Sequence, residues 1–345
     1  MWCLLCGLIA AGFVCFREVK QYSSISLRFD APISGQAAYH ARQYSIEHAE
    51  DKTFWPTYWA ERIASFKSEF MAADADCIAF SGEASLVYPA AFVYGTAPGV
   101  VDGSGCAVSE ALAWRLWGNT DVVGKTVEVD GTARIVRGVF KGKEDLAMIA
   151  FRDEDTSANW TSVELGGGPE NAAREDAERY ASASGLGKPA FILMGSMALF
   201  AGTMAAMPLL MLACFGFYLL AKTVTIRYPA AWRLTLFPIL LAFALLLPAI
   251  LRMMPEWLIP TRWSDFSFWS SLQKQASGSL REFLRAAPQS RDVELRLLLI
   301  KQAGIMFIAA CTSIAVCCRC PIKTLRCLDR FGKMGKNGGG EHAAV

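Results

Sequence analysis

The chain has 345 residues, 53% of them hydrophobic and 19% charged, against roughly 45–50% and about 25% in an average soluble domain. That balance argues against an ordinary cytosolic enzyme, and 34 Lys and Arg against 32 Asp and Glu leave a net charge of only +2, so the basic footprint of a nucleic-acid binder is missing. Eleven cysteines lie mostly in or beside apolar runs, which excludes the disulfide framework of a small secreted protein.

The first 16 residues, MWCLLCGLIAAGFVCF, carry no charge. As a helix they reach about 24 Å, and they read as a first membrane segment over 1–16. With no basic stretch before the apolar core and no small-x-small cleavage site, this is an uncleaved anchor rather than a signal peptide. The lack of any Lys or Arg ahead of it also points to a start codon further upstream.

Residues 17–188 are long enough to bury a core of their own, and their pattern is mixed α+β. From Pro56 onward, Trp59, Ile63, Phe66 and Phe70 recur at steps of four, three and four, which predicts an amphipathic helix opened by proline. Asp74, Asp76 and Glu83 read as a solvated loop, since paired catalytic carboxylates require a pocket.

The stretch 107–140, AVSEALAWRLWGNTDVVGKTVEVDGTARIVRGVF, is the most informative. Ser109 is a good N-cap, Leu112, Ala113, Leu116 and Trp117 form an apolar stripe, and Gly118 can take the left-handed conformation that ends a helix. Thr126 to Val129 then alternate as a strand, Asp130-Gly131 supplies a type I′ turn, and 133–139 returns as the second strand of a hairpin. Arg174, Glu175, Glu178 and Arg179 form a charged helical stretch, expected to be a stalk carrying the next span out of the bilayer.

Residues 189–221 are 33 consecutive uncharged positions, well beyond the ~20 that a membrane helix needs. Within them Gly195, Ala198, Gly202 and Ala206 make a smooth strip for close helix packing, within the chain or between subunits. Further spans are expected at 234–251 and 297–318, the latter using a Lys301 that snorkels. Four spans place both termini on one side. The connecting segment 222–233 and the tail 319–345 carry nine basic residues, against six in 252–295, so both termini are assigned to the cytoplasm. Residues 17–188 and the shorter loop 252–296 then lie outside. On this topology Cys77 and Cys106 alone meet an oxidising space, and they are expected to pair. Cys317, Cys318, Cys320 and Cys327 read as cytosolic free thiols rather than a zinc site, which usually takes two separated cysteine pairs.

Ser109-Glu110-Ala111-Leu112-Ala113, Leu116-Trp117-Gly118, Val123-Gly124-Lys125-Thr126, Val129-Asp130-Gly131 and Val136-Arg137-Gly138-Val139 resemble the signature run of the MacB-type periplasmic core domain. That domain belongs to FtsX-like permeases of ABC transporters, whose pattern reads approximately SEALAxxLFG, PVGKxxxxxG and VVGV. The resemblance makes Ser109, Gly118, Gly124, Lys125, Gly131 and Gly138 structural residues of the domain. It implies an α+β extracytoplasmic domain on a four-helix membrane protein and a permease-type subunit driven by a separate cytoplasmic ABC ATPase. A second permease copy or a paralogue and membrane lipid complete the implied partners. ATP and Mg would sit on the ATPase, because the nearest approach to a phosphate-binding loop, Gly185-Leu186-Gly187-Lys188, has Ser182 for the first glycine and Pro189 after the lysine. No cofactor or catalytic group is expected in this chain. Where the family carries a basic coupling segment, this chain has only KTVTIRYPAAWR, in which Arg227 and Arg233 are the expected ATPase contacts.

Overall fold

The computed structural model describes residues 2–22, 24–49, 53–168, 174–193, 196–227 and 289–337, with isolated positions between 267 and 284. It divides into two units. One comprises Lys20–Met197 with Pro255–Arg296; the other comprises Met1–Val19, Ala198–Met254 and Leu297–Val345.

The first unit is a sheet with helices on its faces. In chain order it contains β1 (Ile25–Ser34), α2 (Gly35–Glu47), β2 (Phe54–Lys67), β3 (Ala72–Ser81), α3 (Ala84–Val87), β4 (Phe92–Gly95) and β5 (Gly105–Ser109). There follow α4 (Glu110–Trp117), β6 (Thr126–Val129), β7 (Thr132–Phe140), β8 (Leu146–Ala150), β9 (Asn159–Gly167), α5 (Arg174–Ala183) and β10 (Phe191–Leu193). The strands pair in the order β10-β1-β9-β2-β3-β8-β5-β7-β4, and β6 bridges β2 and β7. Helices α2 and α5 cover one half of the sheet through Ala38, Ala41, Ala177, Tyr180 and Ala181, packed on Leu27, Tyr58, Val163 and Leu165. Helix α4 covers the other half through Leu112, Ala113 and Leu116, packed on Phe66, Cys77, Val108 and Val136.

The helix and hairpin expected over 107–140 are present. Ser109 Oγ accepts from the Leu112 amide at 3.1 Å, and Gly118 closes α4 at φ 66°. Val129 pairs with Thr132, while Asp130 and Gly131 take φ of 48° and 83°, the positive pair that a type I′ turn demands. A Cβ at Gly131 would meet open space, so only backbone strain opposes a substitution there. Gly131→Val is expected to lower stability by about 1–3 kcal/mol, read as a lower melting temperature.

Four expectations are corrected. The stretch from Pro56 is not a helix but the long strand β2, antiparallel to both β9 and β3. Ile63 and Phe70 are 73% and 69% exposed, so no helical stripe exists. Tyr58 and Trp59 are both buried because β2 is covered on both faces. Asp74 and Asp76 correspondingly lie on the exposed alternate positions of β3 rather than in a loop. The charged stretch at 174–179 is no stalk: α5 packs on the sheet and the chain turns at Gly185 and Gly187, both at positive φ. Finally, 191–193 is not part of a span; it pairs with β1 as an edge strand.

The second unit holds most of α1 (Trp2–Lys20), α6 (Ser196–Arg227) and α7 (Ser290–Asn337), the stretch of α7 up to Arg296 belonging to the sheet unit. Its core joins Leu5, Ala205, Met306, Ala309 and Val316, and Gln302 Nε2 donates to the Ala201 carbonyl at 2.7 Å. A Cβ on Gly202 would touch the Phe16 ring, so this glycine of the expected strip serves a contact inside the chain, whereas Ala206 is exposed. Among the described residues one helix is long and apolar enough to cross a membrane, Ser290–Cys317, with mean hydropathy 1.8. Residues 222–227, expected to be loop, continue α6 to its last residue, Arg227, and 319–337 continue α7. Arg233 and the expected span 234–251 lie outside the described residues.

Candidate functional site

The sheet face opposite α2 and α5 carries a buried charged cluster. Its origin is the period of two along three adjacent strands. On β1 and β9, Leu27 faces Val163 in the apolar core, so Ser26 and Arg28, paired with Glu164 and Ser162, fall on the other face. Trp59 of β2 is the register partner of Ser162 and joins them.

Glu164 is fully buried. Its carboxylate accepts from Ser24 Oγ at 2.7 Å, Ser26 Oγ at 2.6 Å and Trp59 Nε1 at 3.1 Å. The remaining partner comes from the first turn of α7, where Arg291 Nη2 lies 3.1 Å from Oε2 and also donates to Ser24 Oγ at 2.7 Å. The next residue reverses the exchange: Asp292 Oδ1 accepts from Arg28 Nη2 at 3.0 Å. Arg28 lies 4.5 Å over the Trp59 ring and donates to Ser162 Oγ at 3.0 Å. Burial pulls the Arg28 guanidinium below its ordinary pKa, and Asp292 and Glu164 oppose that shift.

Two arginines and two carboxylates make the cluster neutral. Around it, Glu61 of β2 accepts from the Ser290 amide at 2.8 Å and from its hydroxyl, placing a carboxylate at the positive end of the helix dipole. Tyr22 Oη donates to Glu294 Oε2 at 3.1 Å. The first turn of α7 is therefore clasped by groups from three strands and from the segment before β1.

Such a cluster adds little stability compared with apolar residues, but removing one partner leaves a buried charge without compensation. What it provides is a defined register between helix and sheet. The arrangement holds the start of α7 against the sheet through side chains on both. Among the described residues no group of three or more His, Cys, Asp or Glu is placed to hold a metal ion.

The residues of the 107–140 run serve the domain's own structure. Ser109 Oγ also donates to the Glu144 carbonyl at 2.7 Å. Gly124 donates its amide to Val136 O at 2.8 Å, and Lys125 O accepts from the Val136 amide at 2.9 Å, so this loop is tied to β7 through backbone while the Lys125 side chain is exposed. None of these residues reaches the clasp, and Arg227 ends α6 in the other unit.

The expected Cys77–Cys106 pairing is overturned. Both are free thiols in the core under α4. Strand β8 lies between them, with Cys77 opposite Ala147 and Cys106 opposite Ile149. Two inter-strand steps alone span about 9.5 Å, beyond the ~7 Å limit for a disulfide. Burial pushes both thiols up to about 12. The folded state thus retains protons that the unfolded chain releases, and the corresponding stability is present below pH 9 and is lost as pH rises toward 12. Neither thiol is expected to react with a maleimide at pH 7.5 until the chain is denatured. Peptide mass spectrometry before and after denaturation checks this.

The clasp was not recognisable from sequence because its members lie up to 272 residues apart. Its only local trace is polar residues at alternate positions of apolar strands, a pattern that ordinarily marks a solvent face.

No protein family and no curated protein matches the chain. Among solved structures it is similar to the extracellular domain of the ABC-type transporter YknZ from Gram-positive bacteria, at 13% identity, over 46% of this chain and 91% of that one, with a TM-score of 0.38. It is also similar to the periplasmic region of MacB from Actinobacillus actinomycetemcomitans, at 11% identity, over 50% of this chain and 89% of that one, with a TM-score of 0.39. Both are regions of those proteins that lie outside the membrane.

Proposed function

We propose that this chain is the membrane subunit of an ABC-type transport assembly, in which a separate cytoplasmic ATPase moves the extracytoplasmic sheet domain through the helices. The observation that carries the reading is the clasp. A helix long and apolar enough to cross a membrane begins in a neutral buried cluster of Arg28, Glu164, Arg291 and Asp292, so movement of that helix has a fixed point of attachment on the sheet. The motif run at 107–140 supports the same reading, as does the order of helix, sheet domain and two further helices. The substrate side is export of, or force transmission to, an extracytoplasmic target.

A membrane-anchored binding or scaffold protein without ATPase coupling is the second reading. It is favoured by the shortness of the connection after α6, since only 228–233 separate that helix from the next uncharged run and Pro229 interrupts it. One experiment separates the two. The full chain, extracted from its own membranes in mild detergent, is expected to bring down an ABC-type ATPase, and Arg227→Ala with Arg233→Ala is expected to release it. A wild-type chain that recovers no ATPase establishes the scaffold reading.

A further inference from the structure

A cleft of about 360 Å³ opens between two loops of the sheet unit, lined by Gly103 and Ser104 on one side and by Arg152, Glu154 and Asp155 on the other. The first loop is pinned to β7, where the Ile135 amide donates to Ser104 O at 3.0 Å and Arg137 pairs with Asp102 at 2.6 Å. The second is a tight turn after β8, closed by the Asp155 amide on Arg152 O at 3.0 Å. Arg152 crosses the bare backbone of Gly103, where an added Cβ would collide with its side chain.

Arg134 joins the two loops from beneath. On β7 it shares a face with the core residue Val136, and only 8% of it is exposed. Its Nη1 donates to Gly103 O at 2.8 Å and to Ala150 O at 2.7 Å, which ties one wall of the cleft to the root of the other and sets the guanidinium between them. The Phe151 ring lies 4.8 Å away. A guanidinium has five N–H donors, and these two bonds engage one nitrogen. The Nε and Nη2 edge, whose parallel N–H groups match the two oxygens of a carboxylate, has no hydrogen-bond partner among the described residues and still reaches solvent. Buried arginines are ordinarily paired, as Arg28, Arg42 and Arg291 are here. Arg134 makes no ion pair among the described residues. Burial pulls it below its ordinary pKa, with the Asp155 carboxylate among the groups that oppose the shift.

The charges around the cleft select the ligand. Arg134 and Arg152 supply two positive charges without an ion-pair partner among the described residues. Glu154 is exposed, and Asp155 accepts from the Ser157 amide and hydroxyl through Oδ1 alone. A simple anion would meet both carboxylates, and a simple cation both arginines. A molecule carrying both charges is opposed by neither pair.

We infer that the cleft binds a zwitterion of amino-acid or dipeptide size, its carboxylate on the free edge of Arg134 with Arg152 beside it and its ammonium toward Glu154 and Asp155. The site lies wholly within the sheet unit and stands independently of the transport reading.

Isothermal titration of the full chain in detergent tests this with L-alanine and L-alanyl-L-alanine, beside N-acetyl-L-alanyl-L-alanine, which lacks the ammonium, and L-alanyl-L-alaninamide, which lacks the carboxylate. Saturable binding of one or both zwitterions is expected, the tighter of the two naming the source, and each blocked form should bind weaker by about tenfold or more, the scale of losing a charge-assisted hydrogen bond. Arg134→Met should weaken the zwitterion by at least as much. Arg152→Gln, on the exposed rim, should weaken it about tenfold with an unchanged melting temperature, and so decides the matter where Arg134→Met fails to fold. No saturable binding of either zwitterion, equal binding of the blocked forms, or wild-type affinity in Arg152→Gln would overturn the site.

Discussion

Replacing Glu164 with Leu will destabilise the sheet domain by about 3–5 kcal/mol, the scale of breaking a buried ion pair by removing one partner. The carboxylate is fully buried and is approached by Ser24, Ser26, Trp59 and Arg291. Leucine accepts from none of them, and Arg28 and Arg291 are left with Asp292 as the single carboxylate inside the cluster. The loss falls on β1, β2, β9 and the first turn of α7 together. Replacing the whole quartet with apolar residues of similar volume should cost far less, because no buried charge is then stranded. The denaturation midpoint of the full chain in detergent measures both variants. An unchanged midpoint for Glu164→Leu would contradict the burial and pairing described above.

Gly138 is the second position where a small change is expected to be severe. It lies on β7 opposite Gly95 of the edge strand β4, and the Thr96 amide donates to Arg137 O at 3.1 Å. A Cβ built there would strike the Thr96 carbonyl and come within 2.7 Å of the Phe92 ring. The obstruction includes backbone and cannot swing aside as a flexible side chain can. Gly138→Val should therefore cost about 3 kcal/mol, the upper part of the overpacking range, and strip β4 from the sheet. Protease cleavage within 92–104 would report that loss. Gly118 and Gly124, by contrast, have open space around a built Cβ, and substitution there meets only the strain of positive φ, about 1–3 kcal/mol. The motif thus combines two different demands for glycine: close approach of backbone at 138, and a left-handed turn at 118, 124 and 131.

Local chemistry made the 107–140 region legible. The cap at Ser109, the stop at Gly118 and the Asp130-Gly131 turn are each determined by residues within a few positions of one another. The strand β2 was misread because the steps between Trp59, Ile63, Phe66 and Phe70 imitate a helix. Its true period of two is hidden at Tyr58 and Trp59, which are both buried on a strand covered on each side, and it shows at Phe54–Pro56 and again at Ala64–Phe66. The boundary at 189 was displaced for a related reason: the edge strand and the apolar stretch of α6 after it are both uncharged, so Phe191–Leu193 merged with the helix that follows. The clasp lay beyond reach altogether, since Arg28, Glu164 and Arg291 become neighbours only through sheet pairing and the return of the chain after residue 288.

On the transport function proposed above, the measurement that bears most directly on the clasp as a transmission point is ATP turnover by the co-purified assembly when that point is opened. Arg291→Ala removes one of the two charged links from α7 to the sheet and leaves Arg227 and Arg233 in place. With membrane level and folding matched to wild type, the ATPase should still co-purify while transport-linked turnover falls at least tenfold. Wild-type turnover in this variant, with the ATPase bound, would contradict transmission through the clasp.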